Sequence, residues 1–515
     1  MCGISGSVGH SEMFCIEANS HQANRGPDHS QVTRITESIY FGHTLLSIIG
    51  HQPQPIQSAR YTMTFNGCWY NYKDFYPYET SDTKALLMHI ESKGFKEALK
   101  DINGMFSIAV YDNIEKKIYA AVDRFAQKPF YYNHEPEKFC FASSPGAIVQ
   151  IKDKWSINQD ALDSYWLLGA VMGSSSIWDG INRLTASEML EYDVEYDTLE
   201  ISQYWHPQYQ ENAINNVEEL VFDAINKIKI ADVPINIFLS GGIDSTLVAS
   251  QFANQEAIHL DGPEFQHAKE VAERFDIRLR TVSPESVRAN DILGDYSYQS
   301  GEPTMAGMIP YIASKEVSRY CKVAITANGA DELFFGYDRT HDELSRTQCS
   351  HIFRLTAFKN TPIKGYTTDL SQGRWLELQT YVQYDLNKTL DFSSMCHSIE
   401  IRSPFLDHRL VECALSIPES IHRKEGNKTL LKKMLTKMGF SNKFLNRPKM
   451  GFSLYYQPDG LPKLKRDCLL WCIDGGYLGI SRAEFDNLSG RDKQYLEMSA
   501  LGFYYWFQTW KTKIE

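Results

Sequence analysis

No stretch of this 515-residue chain approaches twenty uninterrupted apolar residues, so nothing in it reads as a membrane-spanning helix. The first residues lack the basic cluster and apolar run of a secretory signal. Basic residues are also short: 52 Lys and Arg against 64 Asp and Glu give a net charge of −12. Without a basic surplus to release counterions, non-specific binding to nucleic acid or an anionic membrane is disfavoured, although a local pocket for phosphates is not. The ten cysteines show no regular spacing. Cys468 and Cys472 have no second pair to complete a zinc site and read as helical packing. That cysteine usage suits a reducing compartment, and the expected location is cytoplasmic. There are no internal repeats or low-complexity tracts.

What is present is a globular composition, 43% hydrophobic and 23% charged, in a chain long enough for two or three domains. The first two hundred residues read as short alternating strands, such as Phe106-Ser107-Ile108-Ala109-Val110-Tyr111, Lys117-Ile118-Tyr119-Ala120-Ala121-Val122 and Phe139-Cys140-Phe141-Ala142. A helix is expected over residues 82–92. Stacked antiparallel sheets with helices outside follow from that mixture. Near Tyr204-Trp205-His206-Pro207 the pattern changes. A polar stretch leads into an amphipathic helix reaching about residue 229, and then into Pro234-Ile235-Asn236-Ile237-Phe238-Leu239, which reads as a buried parallel strand. Val323-Ala324-Ile325-Thr326 reads as a second. This is α/β wiring, and the chain beyond residue 338 looks mostly helical. The expected domains are 1–206 and 207–515.

Two motifs carry chemistry. Cys2 lies within Met1-Cys2-Gly3-Ile4, so removal of Met1 would leave a thiol and an α-amine on one residue, a nucleophile with its own base. The second motif follows the residue 234–239 strand: Ser240-Gly241-Gly242-Ile243-Asp244-Ser245-Thr246 runs into a helix. Strand, glycine-rich turn and helix start together form an anion site, with backbone N–H groups and the helix dipole facing the ligand. It is not a Walker loop, because Gly-Lys-Ser/Thr is missing. It is similar to the pyrophosphate loop of enzymes that split ATP between the α- and β-phosphates. Asp244 would then be a magnesium ligand, with Asp331 of Asn328-Gly329-Ala330-Asp331-Glu332 as a second ligand at an adjacent strand's carboxyl edge.

The ordered series of motifs resembles the glutamine-hydrolysing asparagine synthetases across nearly the whole chain. It includes Met1-Cys2-Gly3-Ile4, Arg25-Gly26-Pro27-Asp28, Asn66-Gly67, Ser81-Asp82-Thr83, Asn103-Gly104, Asp123-Arg124 and the phosphate loop. Gly329-Ala330-Asp331-Glu332, Ser398-Ile399-Glu400-Ile401-Arg402-Ser403-Pro404, Lys428-Thr429 and Arg447-Pro448-Lys449-Met450-Gly451 complete it. The resemblance implies an α/β multidomain fold: an N-terminal αββα N-terminal-nucleophile (Ntn) glutaminase sandwich, then a parallel-sheet ATP pyrophosphatase domain with a helical C-terminal part. It implies ATP and Mg2+, with glutamine or ammonia and a carboxylic acid as small-molecule partners. A homodimer is compatible with it.

By that resemblance Cys2 attacks the glutamine amide, Asn66 and the Gly67 N–H stabilise the oxyanion, and Asp82 and Arg25 bind glutamine. Leu239, Ser240, Gly241, Gly242, Asp244, Ser245, Gly329 and Lys428 bind ATP. Lys449 and Lys428 counter the charge that builds during adenylation. Three departures stand out. Leu45 occupies the position of the arginine that binds the glutamine α-carboxylate, and Cys68 replaces a carboxylate that helps hold its amine, so affinity for free glutamine should fall unless Arg60 or Arg34 substitutes. Asn328 replaces an acid near the adenylation site and is a poor base, leaving Glu400 to supply basicity. The segment between the loop and Gly262 is short for an asparagine synthetase, so the acceptor need not be aspartate. An ammonia-dependent synthetase, a β-lactam-forming type of cyclase and a non-catalytic scaffold stand as the alternatives, the retained Cys2 speaking against the cyclase.

Overall fold

The computed structural model describes residues 2–208, 210–211, 213–283, 289–337, 373–447 and 461–515. The first half is built on two six-stranded antiparallel sheets. In one, Gly3–Val8 lies between Lys138–Ala142 and Ile39–Leu45. In the other, Gly104–Asp112 lies between Tyr61–Trp69 and Lys117–Val122. Ile4, Phe41 and Phe141 of the first sheet pack on Ala109, Tyr111 and Ala120 of the second, closing a fully buried seam. Such a seam requires two apolar faces turned inward, which is why these strands read as near-continuous apolar runs. Helices cover the outer faces. Glu12–His21 lies on the first sheet and Asp82–Lys93 on the second. The latter starts on a Ser81 side-chain cap and stops at Gly94, whose φ of 80° few other residues would adopt.

The second half centres on a five-stranded parallel sheet in the order Arg278–Val282, Glu256–Leu260, Ile235–Phe238, Val323–Ile325, Glu400–Arg402. The chain leaves Ile235–Phe238 toward one edge and returns on its other side at Val323–Ile325. The carboxyl ends of these two neighbours therefore flank the crevice where open α/β sheets take ligands. The expected strands at 234–239 and 323–326 are the two central ones. The amphipathic helix is Ala213–Lys227. The outer strand Glu400–Arg402 falls in a region expected to be helical. At three residues it has no periodicity of its own, and pairing with Val323–Ile325 makes it a strand.

The halves share their interior. The helices Leu461–Asp474 and Gly490–Trp510 pack with Phe14, Trp155 and Trp178 of the first half in one cluster. Trp178 and Trp506 both donate their indole N–H to the Gly301 carbonyl at 2.8 Å. Cys468 and Cys472 are buried in the first of these helices, which is the packing role expected of them. No described helix is long and apolar enough to cross a membrane.

Candidate active sites

Cys2 is 6% exposed and enters the Gly3–Val8 strand held by side chains rather than by a partner strand. Its backbone N–H donates to Asn66 Oδ1 at 2.9 Å, and its carbonyl accepts from Arg25 Nε at 3.0 Å. The next two N–H groups donate to Thr44 Oγ1 and Ser143 Oγ, each at 3.0 Å. Thr44 and Ser143 are contributions that sequence reasoning missed. Both are ordinary strand or turn residues whose role depends on where a distant strand begins. Asn66 is fully buried in the Tyr61–Trp69 strand, and its Nδ2 donates to Ser107 Oγ at 3.4 Å. At Gly67 any Cβ would lie 2.2 Å from the Met105 carbonyl oxygen, so sheet packing requires a glycine after Asn66.

Cys2 opens on a cavity also lined by Leu45, Ile48, Gly67, Cys68 and Asp82 from the first half and by Glu400 and Arg402 from the second. Burial pushes the Cys2 thiol above its usual range, against the chain's amino terminus, which lowers it. A thiol held high needs a base at the moment of attack. Burial, with the Glu400 charge adding to it, raises Asp82 to about 6, although its carboxylate accepts from the Trp69 and Thr83 N–H groups at 3.1 and 2.8 Å. Leu45 and Cys68 both line the cavity, so the two altered positions share one chamber with Cys2.

Three sequence expectations are corrected here. Arg25 does not line this cavity: it is buried with its guanidinium on the Cys2 carbonyl and on Asp391 at 2.9 Å. Neither Arg60 nor Arg34 replaces the missing arginine. Arg60 pairs with Asp112 and Glu115 at 2.6 and 2.7 Å, and Arg34 bonds the Thr36 carbonyl on an exposed edge. Glu400 is not brought to the phosphate loop. It sits opposite Val323 at the amino end of its strand, the far edge of the sheet from the phosphate loop, and faces the Cys2 cavity. Burial would raise it, but the amino terminus, Arg402 (2.7 Å) and Lys128 outweigh burial and hold it at about 2, too acidic for a base.

The loop after Ile235–Phe238 forms the second site. Leu239 is buried, with its N–H on the Ile258 carbonyl and its carbonyl accepting from His259 Nδ1 at 2.8 Å. Gly241 turns with φ 81°, and a Cβ there would come 2.6 Å from the Ala268 nitrogen. Ser240 and Ser245 join hydroxyl to hydroxyl at 3.0 Å, and Ser240 Oγ accepts from Gly242 N–H at 3.2 Å. Arg447 clamps the loop from outside through the Gly241 carbonyl, its guanidinium 4.3 Å above the Phe444 ring. Across the crevice Gly329, at φ 92°, starts the Ala330–Leu333 turn that carries Asp331.

Lys428 joins the two sides, its ammonium on Asp244 and, at 2.5 Å, on Asp331. Burial lowers its proton affinity, but the two carboxylates outweigh burial and keep it charged. Gly336 leaves room for this: a Cβ there would sit 1.8 Å from Asp331 Oδ1. Thr326 Oγ1 donates to Asn328 Oδ1 at 3.0 Å beside the crevice. Lys449 lies outside the described residues. The structure thus gathers Asp244, Asp331, Lys428 and the loop at one sheet edge, and Cys2, Asn66, Gly67 and Asp82 in the other chamber.

These features define a two-chamber protein, one chamber built around a near-terminal thiol and the other around a phosphate loop. The sequence matches the family model for asparagine synthase over residues 216–474 and that for the glutamine amidotransferase domain over residues 1–205. It is 27% identical over 390 residues to the putative asparagine synthetase [glutamine-hydrolyzing] 2 of Methanocaldococcus jannaschii, covering 65% of this chain and 76% of that one. It is 24% identical over 551 residues to asparagine synthetase [glutamine-hydrolyzing] 1 of Bacillus subtilis, covering 88% and 87%. Among solved structures, the glutamine phosphoribosylpyrophosphate amidotransferase of B. subtilis aligns at 11% identity and a TM-score of 0.29, covering 54% of this chain and 65% of that one. The chain belongs to the glutamine-hydrolysing asparagine synthetase family, whose members are ATP-dependent ligases forming C–N bonds.

Proposed function

We propose that Cys2, freed of Met1, releases ammonia from a glutamine side-chain amide, and that the crevice around residues 239–245 activates a carboxylic acid with ATP for amidation, aspartate being the default acceptor. The thiol adds to the amide carbonyl while the α-amine takes its proton. Asn66 Nδ2 and the Gly67 N–H receive the developing oxyanion, each such donor lowering the barrier by about 3–4 kcal/mol. The α-ammonium hands that proton to the amide nitrogen, which leaves as ammonia as the thioester forms, and water then releases glutamate from the thioester. In the crevice the acceptor carboxylate attacks the ATP α-phosphate, expelling pyrophosphate, and ammonia displaces AMP to give the amide. Lys428 and Lys449 offset charge on the phosphates.

The pairing of two carboxylates, Asp244 and Asp331, around one cation supports Mg2+ at this place, since that ion takes oxygen ligands from one or two carboxylates and completes its shell with phosphates and water. Among the described residues there is no cluster of three or more His, Cys, Asp or Glu that could hold a metal without such help. When bound, the ion would neutralise phosphate charge.

The observation that carries the coupled reading is the Cys2 cavity itself, closed by Glu400 and Arg402 of the same sheet whose other edge bears the phosphate loop. A screen for pyrophosphate and AMP formation, dependent on a carboxylic acid and on glutamine or ammonia, tests it. ADP in place of AMP would rule out adenylation.

A further inference from the structure

Asp391 belongs to the helix Lys388–Met395 of the second half and is 3% exposed. Its carboxylate meets two cations of the first half, Arg25 at 2.9 Å and Lys128 at 3.3 Å. Arg25 closes the short turn Ala23–Arg25, lies against the Phe392 ring and donates from Nε to the Cys2 carbonyl at 3.0 Å. One residue earlier, the Asn24 carbonyl accepts from Ser398 Oγ of the second half at 2.6 Å. A buried guanidinium without its counter-ion is costly and turns to other acceptors. What keeps Nε aimed at Cys2 is therefore an acid from across the boundary between the halves.

We propose that Asp391 is a positioning residue for Cys2, acting through Arg25, so that the half consuming nitrogen fixes the nucleophile that releases it. This rests on the reading of Cys2 as the nucleophile. A second role competes for the same carboxylate. Asp391 also borders a small polar cavity with Lys128, Asn387 and Ser403, on the opposite face of the Glu400–Arg402 segment from the Cys2 cavity. The experiment has to tell positioning from service in that second cavity.

Glutamate release from glutamine by the full-length wild type comes first; its absence removes the reading of Cys2 and leaves Asp391 without a role. Given that activity, Asp391→Asn should lower kcat for glutamate release at least about tenfold with KM within about twofold, the signature of a displaced reacting group rather than lost substrate binding. In a double-mutant cycle with Arg25→Lys the losses should be strongly non-additive, because one residue acts through the other. If Asp391→Asn does not fold, Asp391→Glu keeps the charge but displaces it by one methylene, and must show the same non-additivity with a smaller loss. Additive losses, or an unchanged kcat in the folded variant, overturn the proposal. So does normal glutamate release with ammonia escaping to bulk solvent, which assigns Asp391 to the second cavity. A loss as large in Lys128→Gln, which removes the carboxylate's other partner, also overturns it.

Discussion

The Cys2 chamber and the phosphate crevice satisfy their polar groups in opposite ways. Along the backbone of residues 2–4 the donors and acceptors are matched by fixed side chains, three of them uncharged (Asn66, Thr44 and Ser143) and one a guanidinium (Arg25), while Asp82, Glu400 and Arg402 line the cavity beyond. In the crevice the charges answer one another, Lys428 lying between Asp244 and Asp331. The first arrangement is pre-organised and needs no ligand to complete it. The second is a charge-paired set that must redistribute when a polyanion enters. Damage to the first should act on geometry at one reaction, and damage to the second on charge at the other.

The largest test of that division is Cys2→Ala. Glutamine-dependent amide formation and glutamate release should fall by roughly 10³-fold or more, as when a nucleophile is removed, while ammonia-supported synthesis continues. Loss of both activities together would mean that the chambers are not separable. The reciprocal variant, Asp244→Asn, should reduce carboxylate-dependent pyrophosphate release about 10²-fold with either nitrogen source. Glutamate release measured in the same samples should persist. If it collapses too, the crevice supports the first chamber structurally and the contrast fails.

Legibility followed the same line. The antiparallel strands of the first half, the strand at Ile235–Phe238 and the loop after it announced themselves by period and by glycine placement. Cys2, Asp244, Asp331 and Lys428 stood out only through the ordered series of motifs they belong to, not by residue type alone. What stayed hidden depends on contacts between distant segments. Glu400 looked like a spare base because its motif lies in the synthetase half, and only the sheet register puts it at the wrong edge for that task. Arg25 looked like a substrate ligand from the motif it belongs to, yet the carboxylate it meets is Asp391, more than three hundred residues away. No local pattern encodes a pairing between two halves of a chain.

A smaller effect probes how the chamber holds its donor. Leu45 is 5% exposed and lines the Cys2 cavity, so a guanidinium there would meet the bound donor. Leu45→Arg should lower KM for glutamine about tenfold with kcat little changed, the result of a charge-assisted hydrogen-bonded pair contributing about 1.5 kcal/mol equally in ground and transition states. An unchanged KM, or wild-type hydrolysis of glutamine with ordinary affinity, would show that the leucine is no handicap. The cavity would then have to bind the α-carboxylate in some other way.

The smallest effect lies in acid. Asp82 is raised to about 6, so it is mostly ionised at pH 7 and mostly neutral at pH 5. If Asp82 anchors the donor amine as proposed, it attracts only in the ionised form, and the attraction must fade as pH falls through that value. KM for glutamine should therefore rise toward low pH, by at most about tenfold between pH 7 and pH 5, since one pH unit below a pKa leaves about a tenth of the group ionised. Asp82→Asn should raise KM at pH 7 and flatten the profile. Synthesis from ammonia bypasses the chamber, so its rate at a fixed concentration of unprotonated ammonia should not follow the same curve. A matching curve would place the titrating group in the crevice and dissolve the contrast between the two sites.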